Sequence, residues 1–299
     1  MEIPLFPLLL FIPASSVILY CLEYEKKDLT LILLLIIVSF FILRFDKHPL
    51  LFSMLFLFIP FLLKERISYT QLFFFSMTGS ILLAKYLFSI FAEGVFYLLP
   101  TAIFTLILMC LLSIVSIFED DLRRFLLISN VIQTLFILLD MLVAEMGGEE
   151  KLMTIQAFNY TLAGTVFFSS LGIASFDNRA KRISSLQGSY YLDKLNGIST
   201  VIASLSLAGV PGLNMFVSEW LLFKTSFHIS PVISIFGIFL ALLLFIMYFK
   251  IINITLTGRV RSQLKRKKMS SYFNFFLSIF CLLLGLIPRI QFYILEGLM

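Results

Sequence analysis

The chain is built from continuous apolar runs of about 20 residues, separated by short polar stretches. A helix of that length crosses the hydrocarbon core of a bilayer, because each residue advances it by about 1.5 Å. The runs do not alternate apolar with polar, as membrane barrel strands do, so they predict helices. They fall near residues 4–22, 29–44, 49–64, 70–92, 96–118, 122–146, 153–175, 198–227, 231–257 and 271–295. Hydrophobic residues make up 60% of the 299 and charged residues only 14%, with a mean hydropathy of +1.01. A soluble domain of this size has no interior large enough for that much apolar surface. The expected fold is therefore all-α, a polytopic membrane bundle of about ten spans forming one domain over 1–299. The start, Met1-Glu2-Ile3-Pro4, lacks the basic region of a secretory signal, so the first run is expected to stay as a helix.

Charge placement predicts the topology. Loops after odd-numbered spans hold Lys26, Lys27, Lys64, Arg66, Arg123, Arg124, Arg179, Lys181, Arg182, Lys194 and the cluster Arg259 to Lys268. Loops after even-numbered spans hold chiefly Arg44, Lys47, Lys151 and Lys224. Basic loops stay on the cytoplasmic side, which puts both termini outside a multi-pass protein of the cell membrane or of an organellar inner membrane. The cluster at 259–268 reads as a topology anchor, or as a site for anionic lipid. This basic excess does not point to nucleic acid. Cys21, Cys110 and Cys281 are far apart, and His48 and His228 are isolated, so no metal or redox-cofactor site is expected on this chain.

One run is interrupted. Ser204 to Phe223 reads SLSLAGVPGLNMFVSEWLLF, a membrane-length segment broken at Gly209, Pro211 and Gly212. Proline removes a backbone donor and glycine removes the steric preference for helix. A bilayer tolerates such a break only where protein or a water-filled cavity covers the freed groups. Glu219 follows two turns later. An intramembrane acid demands a partner or water, so it reads as a titrating group on an ion path, or as a carboxylate that caps a half-helix or pairs with Lys224.

Other polar residues in the spans carry paired readings. Lys85 either snorkels to the interface or points inward. Asp140 lies near the end of its span, before Glu145, and is either interfacial or inward-facing. Lys250 reads as an interfacial anchor. Asn159, Thr161, Thr165, Ser169 and Ser170 give one span a polar wall, as glue between helices or as the side of a hydrated channel. Pro60 is a weaker sign of a second break.

The stretch Leu205 to Phe223 resembles the broken late helix of the antiporter-like subunits of respiratory complex I, Mrp cation/proton antiporters and group 4 membrane-bound hydrogenases. The form Asn-x-Phe-Val-Ser-Glu-Trp is similar to the branches that carry Glu, rather than Lys, at the last charged channel position. Glu119 to Gln133, Ile183 to Gly188, Met247 to Gly258, the Pro60 region and Met77-Thr-Gly79 resemble further family segments in the same order. The likeness covers about residues 50 to 260. It implies a fold of about fourteen helices, of which this chain has room for about ten, and a mid-membrane relay of charged residues. Gly79 stands where the family usually has lysine, Asn159 where it often has histidine, and Ala163 where it has lysine in some members. An early glutamate has no counterpart. The reduced set points away from independent proton pumping, with Lys85 and Asp140 as possible substitutes.

The resemblance implies a membrane subunit of a complex-I-like or hydrogenase-type redox complex. Its partners would be other membrane subunits and lipid, and those subunits would hold the cofactors. By itself the chain would catalyse nothing. Ion-path candidates are Glu219, Lys85, Asp140 and Asn159. The alternatives are a purely structural or assembly subunit and a free-standing cation/proton transporter.

Overall fold

The computed structural model describes residues 69–92, 97–149, 151–176, 181–258 and 269–298. The first three expected spans, Pro60 and the 259–268 cluster lie outside these residues. The described elements are α1 (Tyr69–Ala92), α2 (Leu98–Phe118), α3 (Leu122–Glu145), α4 (Lys151–Phe176), a 3₁₀ turn (Ile183–Leu186), α5 (Ser189–Leu192), α6 (Lys194–Leu207), α7 (Asn214–Ile229), α8 (Pro231–Leu256), α9 (Met269–Leu286) and α10 (Pro288–Leu298). Among the described residues there is no strand, only an isolated bridge between Asp121 and Arg182. The expected all-α membrane bundle is what forms. Four segments, Leu72–Ile90, Leu98–Phe118, Leu122–Glu145 and Pro231–Leu256, are long and apolar enough to cross a bilayer.

The helix ends follow local chemistry. Asp121 caps α3, its Oδ1 accepting from the backbone N–H of Arg123 (2.9 Å) and Arg124 (3.0 Å). Pro231 opens α8, where its missing N–H has no helical partner to lose. Lys250 donates from Nζ to the carbonyls of Ile117 (3.0 Å) and Glu119, satisfying the end of α2. A cation at a helix C-terminus also meets its negative dipole end.

The layers sort by composition. Helices α3 and α4 sit at the centre, α3 against α1, α2 and α4, and α4 also against α6, α7 and α9. Phe73, Phe125, Phe167, Phe168, Tyr160 and Tyr248 are fully buried between these helices. Gly164 lets α4 approach α1, since a Cβ there would meet the Phe73 ring at 2.6 Å. At the periphery, α2 and α8 pack on each other and expose Phe104, Leu111, Val115, Phe239, Leu242 and Ile246. Helices apolar on both faces suit a hydrocarbon solvent.

The expected span 198–227 is two helices, α6 and α7, as its glycines and proline foretell. The expected single span 271–295 is also two, α9 and α10, parted at Ile287. Pro288 is the reason. It has no N–H to give to the Leu284 carbonyl four residues back.

Candidate functional site: a broken helix and its buried acid

The break between α6 and α7 is covered on its inner side by protein. Gly209 and Gly212 have φ of +68° and +91°, a region that costs any residue with a Cβ. Backbone bonds close the end of α6, with Ala208 N–H donating to Ser204 O (3.0 Å) and Val210 N–H to Leu205 O (3.1 Å). Helix α9 lies directly on the break at Gly285. A Cβ at that glycine would collide with the backbone of Gly212 and Leu213. Pro211 is exposed on the other side.

Asn214, the first residue of α7, ties the break to its surroundings. Its Oδ1 accepts from Ser206 Oγ at 2.5 Å, which bridges the two half-helices. Its Nδ2 donates to the backbone oxygen of Asn159 (3.0 Å) and to Asn159 Oδ1 (3.3 Å). Asn159 Nδ2 then donates to Gln291 Oε1 at 3.1 Å. Gln291 Nε2 donates to Leu284 O at 2.9 Å, and so replaces the hydrogen bond that Pro288 cannot make. One hydrogen-bonded chain therefore links both breaks, and at the second it meets the freed backbone carbonyl. Asn159 acts here as a staple between α4, α7 and α10.

Glu219 is 3% exposed, on the buried face of α7. Its carboxyl group lies against Gly209, where a Cβ would overlap Oε2. Its Oε1 is buried with no hydrogen-bond partner. Lys224 is exposed and five residues away on the same helix, so the two side chains leave the axis about 140° apart. The pairing with Lys224 that the sequence left open is not made. Asp140 on α3 is 1% exposed, and both its carboxyl oxygens lack partners. It lies inward, within electrostatic range of Glu219. Tyr248 is also within range of Glu219, and its hydroxyl bonds to Ser129 Oγ (2.7 Å) and Gln133 Nε2 (3.5 Å).

Six of the eight buried, unpartnered side-chain atoms among the described residues belong to Gln133, Asp140, Gln156 and Glu219. The other two are the hydroxyls of Ser116 and Thr255, and most remaining buried polar groups are satisfied. Thr161 and Thr165 return their hydroxyls to the carbonyls of Ala157 (2.7 Å) and Thr161 (2.6 Å). Ser169 donates to Asn274 Oδ1 at 2.7 Å. The polar wall of α4 is thus mostly bonded within or between helices. Lys85 lies on α1, with its side chain outside the described set.

The sequence reading missed Gln156, Gln291 and Tyr248 as members of this region. A lone glutamine inside an apolar run is itself a signal, because its amide must find partners away from lipid.

A broken helix backed by protein, with a carboxyl group at the break, is a feature of membrane bundles that carry ion or substrate sites. The chain belongs to the family described as NADH:quinone oxidoreductase/Mrp antiporter, TM, whose model matches residues 67–245. Solved structures share the fold. A chain of respiratory complex I from Thermus thermophilus with bound aureothin matches at TM-score 0.59 and 17% identity, over 74% of this chain and 50% of that one. A chain of the Mrp complex from Dietzia sp. DQ12-45-1b matches at TM-score 0.65 and 13% identity, over 96% and 64%. A chain of the membrane-bound sulfane sulfur reductase, an archaeal respiratory membrane complex, matches at TM-score 0.62 and 16% identity, over 75% and 47%. The chain therefore spans about half to two thirds of the length of these relatives.

Proposed function

We propose that this chain is an antiporter-like membrane subunit of a complex-I-like or hydrogenase-type redox complex, and that Glu219 handles a proton or Na⁺ on its path. The carrying observation is the Glu219 carboxyl, buried against Gly209 with Oε1 unpartnered. A structural carboxylate would be expected to recover its lost hydration from protein donors. One kept without them gains its use from exchanging a proton or cation with water. The multisubunit complexes that hold the fold relatives support membrane subunits as partners. Quinone, flavin and iron–sulfur groups would sit on those partners. The chain would cross the cell membrane several times with both termini outside, as its loop charges indicate.

A scaffold reading is favoured by a different observation. The Ser206–Asn214–Asn159–Gln291 chain is fully paired and holds no titratable group. Glu219→Gln in the intact complex separates the two. The ion-path reading predicts loss of coupled ion transport with the complex still assembled. Unchanged transport leaves only the scaffold. Gentle purification from the native membrane should recover redox subunits with the chain. Transport by the purified chain alone in liposomes would instead mark a free-standing transporter.

A further inference from the structure

We propose that Asp140 is the second proton-carrying group of this site, exchanging a proton with Glu219 through water held by the side-chain amides of Gln133 and Gln156. The proposal rests on the reading of Glu219 as an ion-path residue and extends it to a group that the family resemblance does not supply.

The geometry comes from three helices. Gln133 faces the break, since its Nε2 donates to the carbonyl of Leu207, the last residue of α6, at 3.3 Å. Asp140 is seven residues further along α3, so it lies on nearly the same face, about 10 Å onward. Helix α7 runs beside this part of α3. A Cβ at Gly148, just past α3, would meet Thr225 of α7 at 3.1 Å. Glu219 is less than two turns before Thr225, which brings it near the level of Asp140. From the other side, Asn159 meets Asn214 at the start of α7, and α4 runs antiparallel to α7. Gln156 is one turn back along α4, beside the second turn of α7, where Glu219 sits.

Two amides add an observation independent of the acids. Gln156 is 1% exposed, and neither its Oε1 nor its Nε2 has a partner. Gln133 Oε1 is likewise buried and unpartnered. An amide donates through nitrogen and accepts through oxygen, so it can hold a water in either orientation. A buried water needs two to four polar partners. The four side chains offer them between α3, α4 and α7.

The step conserves charge and moves no electrons. The O–H bond of neutral Glu219 breaks as its proton passes to a water oxygen. That water releases another of its protons to the Asp140 carboxylate, forming a new O–H bond there. The pair keeps one negative charge throughout. The proton has moved across the seam from α7 to α3.

The test uses the native complex, reconstituted in vesicles, with Asp140→Asn, Asp140→Leu and Asp140→Glu in this chain and Glu219→Gln as the reference. Asp140→Asn and Asp140→Leu should assemble, melt no lower than the native complex, and lose roughly tenfold or more of coupled transport. Asp140→Glu should restore most of it. Native transport rates in an assembled Asn or Leu variant, where Glu219→Gln blocks transport, overturn the relay and leave the Glu219 reading standing. Loss that Asp140→Glu does not rescue, or failure of all three variants to assemble, marks a structural role and also overturns the relay. Unchanged transport in Glu219→Gln removes the Glu219 reading and the relay together.

Discussion

Two helix breaks in this bundle lie close together and are finished differently. At Ile287–Pro288 the freed Leu284 carbonyl is met by Gln291, which in turn is held by Asn159. That break is closed by amides alone. At Gly209–Gly212 the flanking half-helices are tied by the side chains of Ser206 and Asn214, but the adjoining Glu219 keeps an oxygen without a partner. The same protein thus shows that it can supply an amide where a break needs one. The proposal reads the unpaired acid at the first break as retained for use, a functional role being one of the reasons a buried group is left unsatisfied.

The contrast can be broken most forcefully at Gly209. Gly209→Val would force a branched side chain into a positive φ and onto the Glu219 carboxyl. A loss of about 3 kcal/mol or more is expected, seen as poor assembly or a much lower melting temperature. A native-like Gly209→Val complex would mean that the acid does not pack there. Gln291→Leu comes next. It strands Leu284 O and Asn159 Nδ2, at about 1–3 kcal/mol for each buried group. Thermal unfolding should record the loss, while transport per assembled complex stays native. Reduced transport at full stability would join the second break to the ion path. The smallest effect is expected from Lys250→Met, which removes the cap of α2. That should lower stability by about 0.5–1 kcal/mol and leave transport intact. A large transport defect there would move Lys250 into the path.

Much of this was legible beforehand. Gly209, Pro211 and Gly212 each act on the backbone locally, so the first break could be read from residue types alone. The acid at Glu219 stood out because charge is rare in an apolar run. Asp140 was ambiguous because its depth depended on where α3 ends, and helix ends are uncertain by a few residues from sequence. The second break was missed because Pro288 lies near the end of an apolar run, where proline is ordinary. Nothing local shows that Gln291 will replace the lost hydrogen bond. The amides at Gln133 and Gln156 belong to different helices, and nothing local shows that both end buried with an unpartnered atom. The likeness of Asn159 to a channel position said nothing of the hydrogen bonds that tie it to Asn214 and Gln291.

The most direct test of the account measures stability and transport together in Glu219→Gln. A neutral amide relieves a buried, unpartnered acid, so the account predicts a melting temperature equal to or above that of the native complex, with coupled ion transport lost. A lower melting temperature with transport retained would show that the carboxyl holds the fold together and carries no ion.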